Sequence, residues 1–206
     1  GGYQNYDDET LWNYEVGIKS RLNNGATLNA AAFRAEIDDL QITLDAGSCS
    51  SRITFNVPEA RSTGVEIEYT SQPTDYLEFS VAGSAINAEF KSTVIDATGS
   101  VLGGLADGNR LASVPEIQLA ASATYSFPIA LGNAYASATI HHIGDRITQP
   151  SDQLYGAGDF ASGLVFGGTS GADITSLDLE LAAYTIFNAR VGVVADNGWE
   201  AALYIN

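Results

Sequence analysis

From Leu11 to Leu22 the residues alternate with a period of two, and that alternation limits the possible fold more than any other feature. Even positions read Trp12, Tyr14, Val16, Ile18, Ser20 and Leu22, while odd positions include Asn13, Glu15, Gly17, Lys19 and Arg21. Side chains two apart share one face of a strand, so one face is apolar and the other charged. A helix would scatter the same charges around its whole circumference. The pattern returns in Val65, Ile67 and Tyr69 against Glu66 and Glu68, and in Leu77, Phe79 and Val81 against Glu78 and Ser80. Ile117 to Phe127 repeats it against Glu116, Gln118 and Ser122, and Trp199 to Ile205 repeats it against Glu200.

Turn chemistry divides these segments. Asn23-Asn24-Gly25 and Asp196-Asn197-Gly198 are short and tolerate positive φ, and Gln72 to Asp75 and Pro128 to Asn133 are slightly longer turns. The other connections, residues 46 to 52, about 92 to 111 and about 148 to 177, are longer. The spacing predicts eight strands over 11–22, 26–45, 53–71, 75–91, 112–127, 133–147, 178–195 and 199–206. Short and long connections alternate strictly. An outer-membrane barrel sorts its connections this way, with short periplasmic turns at one end and longer outer loops at the other. The predicted fold class is therefore all-β, an antiparallel up-and-down transmembrane β-barrel sector of about eight strands. The apolar face looks to lipid and the charged face to the lumen, since Lys or Arg at the lipid midplane costs roughly 2–4 kcal/mol. Aromatics near strand ends, such as Trp12, Tyr14, Tyr69, Tyr125, Phe127 and Trp199, fit interfacial girdles.

The second strand breaks phase. Leu28, Ala30 and Ala32 share a face, but beyond them Phe33, Ala35 and Ile37 are the apolar set. A β-bulge within Ala30 to Phe33 would absorb the slip. Alternatively, the apolar band ends there and the strand continues in water.

Composition excludes other classes. Apolar residues make up 45% of the 206, yet no run reaches the roughly 18 that a spanning helix needs. No basic, apolar leader opens the chain at Gly1. A net charge of −16 argues against nucleic acid as a partner. Cys49 stands alone, so it closes no disulfide within the chain. His141 and His142 are adjacent and point to opposite faces of a strand, which prevents joint ligation of one metal. Asp152, Asp159, Asp173 and Asp178 offer oxygens for calcium without a recognisable spacing. No nucleophile elbow, HExxH or phosphate loop stands out, so no enzyme, cofactor or metal is expected. Tyr155, Phe160 and Phe166, in the longest outer loop, are candidate ligand-binding residues. Glu15, Lys19, Arg21, Glu66 and Glu68 are expected to face the lumen and contact whatever fills it.

Several segments carry a family resemblance. Glu9-Thr10-Leu11-Trp12-Asn13-Tyr14-Glu15-Val16-Gly17-Ile18-Lys19, Asn29 to Gln41, and Pro73 to Phe90 resemble strands of TonB-dependent outer-membrane receptors. The most specific stretch is Asn56-Val57-Pro58-Glu59-Ala60-Arg61-Ser62-Thr63-Gly64-Val65-Glu66-Ile67-Glu68, similar to the family's N-x-x-x-A-x-S-x-G-x-E-x-E. Ala182 to Gly192 resembles a strand near the end of that barrel. The resemblance implies that 1–206 is part of a roughly 22-stranded, plugged barrel, with the plug domain and closing strands lying outside this sequence. It implies energised import of a scarce nutrient, such as siderophore-bound iron, cobalamin or a carbohydrate. Implied partners are the plug, the TonB complex, the small-molecule nutrient, and outer-membrane lipid and lipopolysaccharide. Two alternatives remain open: a stand-alone eight-stranded outer-membrane barrel acting as adhesin, anchor or small channel, and a soluble β-sandwich.

Overall fold

The computed structural model describes residues 6–22, 25–45, 52–154, 160–162, 175–177 and 180–206. Twelve strands follow in chain order. They are β1 (Thr10–Arg21), β2 (Thr27–Asp45), β3 (Arg52–Thr74), β4 (Leu77–Phe90), β5 (Ile117–Ile129), β6 (Gly132–Ile143), β7 (Arg146–Ile147), β8 (Phe160–Ser162), β9 (Thr175–Leu177), β10 (Glu180–Leu181), β11 (Tyr184–Ala195) and β12 (Glu200–Ile205). Eight of them form one antiparallel sheet in the order β1-β2-β3-β4-β5-β6-β11-β12. The strands follow sequence order, the signature of an up-and-down meander. β1 and β12 are the two edges and do not pair with each other, so the sheet is open. The remaining four strands form two small hairpin stems, β7 with β10 and β8 with β9, between β6 and β11.

Register carries the alternation across the whole sheet. Val16 lies opposite Ala32, Ala32 opposite Val65, Val65 opposite Ala85, and Ala85 opposite Ile117. Farther around, Tyr125 faces Ala136, Ala136 faces Val191, and Val191 faces Leu203. The apolar sets of separate strands thus merge into one continuous face. That face packs against no protein: Val16 is 74% exposed and Leu203 77%. In water such a surface would drive aggregation, whereas in a bilayer it is the lipid contact.

The short connections close as expected. Leu22 N–H donates to Ala26 O at 2.8 Å, and Ala195 N–H to Trp199 O at 2.9 Å. Rings gather at this end, with Tyr69 5.7 Å from Phe79, Tyr76 6.5 Å from Tyr125, and Tyr125 5.5 Å from Phe127. Four boundaries differ from the prediction by more than two residues. Among them, β6 ends at Ile143 and not at 147, and β11 begins at Tyr184 and not at 178. β3 continues to Thr74 through an irregularity between Ser71 and Thr74, so Gln72 and Pro73 belong to the strand and the turn is narrower. β5 begins at Ile117 and not at 112, because residues 91–116 form a folded loop with contacts of their own.

The expected β-bulge at Ala30 to Phe33 is absent. Pairing of β2 with β1 and with β3 is unbroken from Thr27 to Asp38, and Phe33 lies opposite Glu15. The apolar outward band ends there, as the alternative reading had it, and β2 continues beyond it with Arg34 and Glu36 outward. The phase turns over later. Ile37 and Leu40 pack in one cluster with Phe55, Val57 and Ala60, although they lie an odd three positions apart. Register stays constant, since Asp38 faces Glu59 and Leu40 faces Val57. The reversal falls at Asp39, whose φ is 55°. Across from it stands Pro58, which has no N–H to pair. Asn56 Nδ2 donates to Asp39 O at 2.6 Å and satisfies the carbonyl left over.

One turn is sterically fixed. Gly132 has φ 142°, and a Cβ there would sit 2.2 Å from Val194 O on β11. Gly132→Ala is expected to cost about 2–3 kcal/mol through backbone strain and displacement of β11. Gly198→Ala, at φ 90° with open space around it, should cost only about 1–2 kcal/mol. Heat-modifiable mobility after refolding in detergent would check the difference; equal folded yields would contradict it.

Candidate functional site

The charged face opposite the lipid contact is assembled row by row. Lys19 lies opposite Asn29, Asn29 opposite Glu68, Glu68 opposite Ala82, Ala82 opposite Ala120, and Ala120 opposite His141. Asn29 Nδ2 donates to Glu68 Oε2 at 3.1 Å. Glu66 sits one row nearer the outer end, opposite Ala31 and Ser84. Glu15, Lys19, Glu66 and Glu68 together line a concavity of about 780 Å³ that also takes in Gln118 and His141. Arg21 shares the face but lies outside that lining, in the next row toward the short turns. Its row reads Arg21, Thr27, Thr70, Ser80, Ser122, Thr139 and Asn188. Every member is polar. The Ser80 and Ser122 hydroxyls are 2.8 Å apart, and Asn188 Nδ2 donates to Thr139 Oγ1 at 3.2 Å. A face of small hydroxyls and carboxylates is wettable and offers many hydrogen-bond partners to a polar occupant.

The two histidines alternate along β6, both border the concavity, and His142 Nδ1 is 2.9 Å from Thr185 Oγ1. Among the described residues, no group of three His, Cys, Asp or Glu side chains could hold a metal ion. Cys49, Tyr155, Asp159, Phe166, Asp173 and Asp178 lie outside the described residues, and Phe160 is placed only as the first residue of β8.

Three polar groupings escaped the sequence reading. Nearer the short turns, Arg190 pairs with Glu200 at 2.7 Å and lies 5.5 Å over the Tyr135 ring. Tyr135 donates its hydroxyl to the same carboxylate at 2.6 Å. This triad joins β6, β11 and β12 across 65 residues of sequence.

The second grouping organises the outer mouth. Residues Val94, Leu102 and Leu111 pack on a buried cluster of Phe55, Val57, Ala60, Phe90 and Leu105. Ala60 and Phe90 are in the row of Leu11 and Ile37, on the same face as Glu15. The β4–β5 loop therefore folds over the lumen side of the extended strand ends. Arg110 then fastens this loop to the next one. Its Nη1 donates to Asp145 Oδ2 at 2.6 Å, its Nη2 to Asp145 O at 2.8 Å, and its Nε is 3.5 Å from Glu116. Its backbone pairs with the Gln153 amide in both directions, at 2.9 and 3.0 Å. The third grouping is beside it: Asp152 is buried and its Oδ2 accepts from Thr148 Oγ1 at 2.6 Å and from the Thr148 and Gln149 amides at 3.1 Å. This explains Asp152 as the organiser of a short 3-10 turn over Pro150–Gln153. Gly104 admits the close approach of the two loops, because a Cβ there would meet Pro150 O at 2.0 Å.

The family described as TonB dependent receptor-like, beta-barrel, matches residues 1–206. The chain belongs to that family. The metal-pseudopaline receptor CntO of Pseudomonas aeruginosa is 27% identical over 202 residues, which is 97% of this chain and 25% of the relative. Among solved structures, the ferric yersiniabactin uptake receptor FyuA of Yersinia pestis aligns with a TM-score of 0.66 at 20% identity, covering 95% of this chain and 24% of that one. The siderophore receptor PiuA of Acinetobacter baumannii aligns at 0.63 and 18% identity, covering 95% and 24%. The chain spans about a quarter of the length of these relatives. The family consists of transport receptors of the outer membrane, and this TonB-dependent receptor chain has the fold expected of its barrel wall.

The Arg110 clamp is open to test. Hydrogen bonding from Arg110, then from Glu180, holds the Asp145 carboxyl below its usual range. A depressed carboxylate pKa adds stability above the unfolded value and loses it as pH falls through the folded value. Amide exchange over residues 144–154, corrected for intrinsic rates, should stay slow at neutral pH and lose protection below about pH 4, the ordinary carboxylate range. Arg110→Ala should remove the protection at every pH. Protection unchanged in that variant would contradict the clamp.

Proposed function

We propose that this chain is one sector of the wall of a TonB-energised receptor importing a metal–chelate complex, of the siderophore class. The observation that carries the reading is the match of the whole chain to the receptor barrel family, joined to relatives whose names specify metal-pseudopaline, ferric yersiniabactin and a siderophore. The open sheet supports a sector over a stand-alone eight-stranded barrel, since edges β1 and β12 do not pair with each other. In lipid, both edges need further strands to satisfy their amides.

In this reading Glu15, Lys19, Arg21, Glu66 and Glu68 contact the plug or the water around it, through the polar row and the concavity above it. Tyr155, Phe160 and Phe166 contact the incoming chelate. Aromatic rings suit ligands with conjugated or aromatic metal-binding arms. In this reading the chain's role is binding and passage, as befits the wall of a transport receptor.

Uptake of radiolabelled iron presented on a panel of chelators tests the proposal. Deleting the gene, or separately deleting tonB, should abolish uptake of at least one chelate. Replacing Tyr155, Phe160 and Phe166 together by alanine should weaken binding of that chelate by about tenfold or more, at roughly 0.5–1.5 kcal/mol for each aromatic ring removed. Full uptake of every chelate after either deletion would sink the reading.

A further inference from the structure

β1 enters the sheet at its outer end, so Asp7 to Glu9, just ahead of it, are the last stretch of an outer connection. Thr10 opens β1 opposite Asp38, and β2 runs on beyond that point without β1 beside it. The stretch is nevertheless strapped to the β2–β3 hairpin. Asp7 N–H donates to Asn56 Oδ1 at 2.7 Å, and Asn56 Nδ2 donates back to Asp7 O at 2.9 Å. Gln41, the cross-strand partner of Asn56, adds its Nε2 to the same carbonyl at 3.2 Å. The Gln41 N–H, past the end of β1, goes to Glu9 Oε2 at 3.1 Å. Two side-chain amides thus grip the main chain of Asp7 by both its donor and its acceptor.

The strap and the β4–β5 loop lie on opposite faces of the hairpin. Leu40 and Ile42 pack in the cluster that this loop covers, as do Phe55 and Val57. Gln41 and Asn56 stand between them in sequence, so their side chains leave from the other face. Both layers depend on the phase reversal at Asp39. Strict alternation from Ile37 would turn Asp39 toward the loop and send Leu40, Ile42 and Leu44 to the strap side. β2 therefore has two arrangements here, and only the reversed one offers the loop an apolar surface. Asp39 reaches it at φ 55°, a left-handed conformation that a side chain disfavours. The amide that supports it is again Asn56, whose Nδ2 donates to Asp39 O at 2.6 Å as well as to Asp7 O.

We propose that Asn56 couples the strap to the β4–β5 loop, giving the outer connection ahead of β1 a lever on the mouth. With Asp7 in place, the Asn56 amide is fixed over Asp39 O, the reversal holds, and the loop packs. With the strap lifted, the Asn56 amide rotates away and the Asp39 carbonyl turns to water. Leu40 to Leu44 then release the loop. Linkage makes the effect reciprocal, so a loosened loop loosens the strap by the same factor. The coupling calls on neither a ligand nor an energy source, so it is tested independently of chelate import.

Amide exchange of the full-length receptor in mild detergent tests this, read over residues 6–10 for the strap and 92–106 for the loop. Asn56→Ala should speed exchange in both stretches by about threefold to tenfold, the effect expected for losing exposed hydrogen bonds. Asp7→Pro deletes the donor to Asn56 Oδ1 and leaves β2 and β3 untouched, yet it should speed 92–106 as well. Adding Asp39→Gly to Asn56→Ala should restore the loop, because glycine holds a positive φ unaided, and leave the strap fast. Leu105→Ala, on the loop side, should speed exchange in residues 6–10. Strap exchange that rises alone in Asn56→Ala, or loop exchange unmoved by Asp7→Pro, would overturn the coupling. So would a loop still fast in the double variant, or a strap indifferent to Leu105→Ala. Heat-modifiable mobility checks that each variant is folded; if Leu105→Ala is not, the variants at Asn56, Asp7 and Asp39 decide.

Discussion

A peptide group inside hydrocarbon has no water to bond with, and each one left unpaired costs several kcal/mol. That constraint organises the rest of this molecule. It demands strands that hand every N–H and C=O to a neighbour, and the eight-stranded sheet answers with continuous pairing through its apolar band. Once the backbone is fixed this way, the side chains have only two directions. Period two then becomes a sorting device, with Val16, Val65 and Leu203 on the lipid side and Glu15, Glu66 and Glu200 on the other. The protein therefore has little core of the ordinary kind. Its buried apolar cluster, with Phe55, Val57 and Phe90, lies at the outer strand ends, where strands project beyond the apolar band and a loop folds over them.

Those projecting ends follow different rules from the membrane band. Inside the band, phase is absolute, because a one-residue slip would turn charges to lipid. Beyond the band, water satisfies either face, and the phase reversal at Asp39 and Pro58 is tolerated. The reversal keeps Leu40, Ile42 and Leu44 on the face already occupied by Ile37, so one loop can cover all of them. Arg110 then extends the covered region to Asp145 and Gln153, linking the two loops into one outer platform. The β4–β5 loop and residues 148–154 are joined through this platform.

Most of the sheet was legible in the sequence because its cause is local: alternation and turn residues such as Asn197-Gly198 act within a few positions. The strand end at Thr74 was not, since pairing with Leu77 continues past a proline that reads as a turn. Residues 91–116 read as loop because their apolar members, Val94, Leu102, Leu105 and Leu111, follow no period; only the surface they cover gives them meaning. Glu15, Lys19, Glu66 and Glu68 were grouped on one face by alternation, and the register brings the four to one concavity. Arg21 shares their face one row away, a distance that strand stagger sets and periodicity cannot show. The Arg110–Asp145 and Tyr135–Glu200 contacts, 35 and 65 residues apart, left no local signature.

The central claim is that alternate residues of each strand face lipid and lumen. Spin labels placed one at a time at Val65, Glu66, Ile67, Glu68 and Tyr69 of the full-length receptor in bilayers, with Cys49→Ser as background, read this directly. Collision with dissolved oxygen, which concentrates in lipid, should peak at 65, 67 and 69 and fall at 66 and 68. A flat profile, or one with the peaks at 66 and 68, would contradict the account.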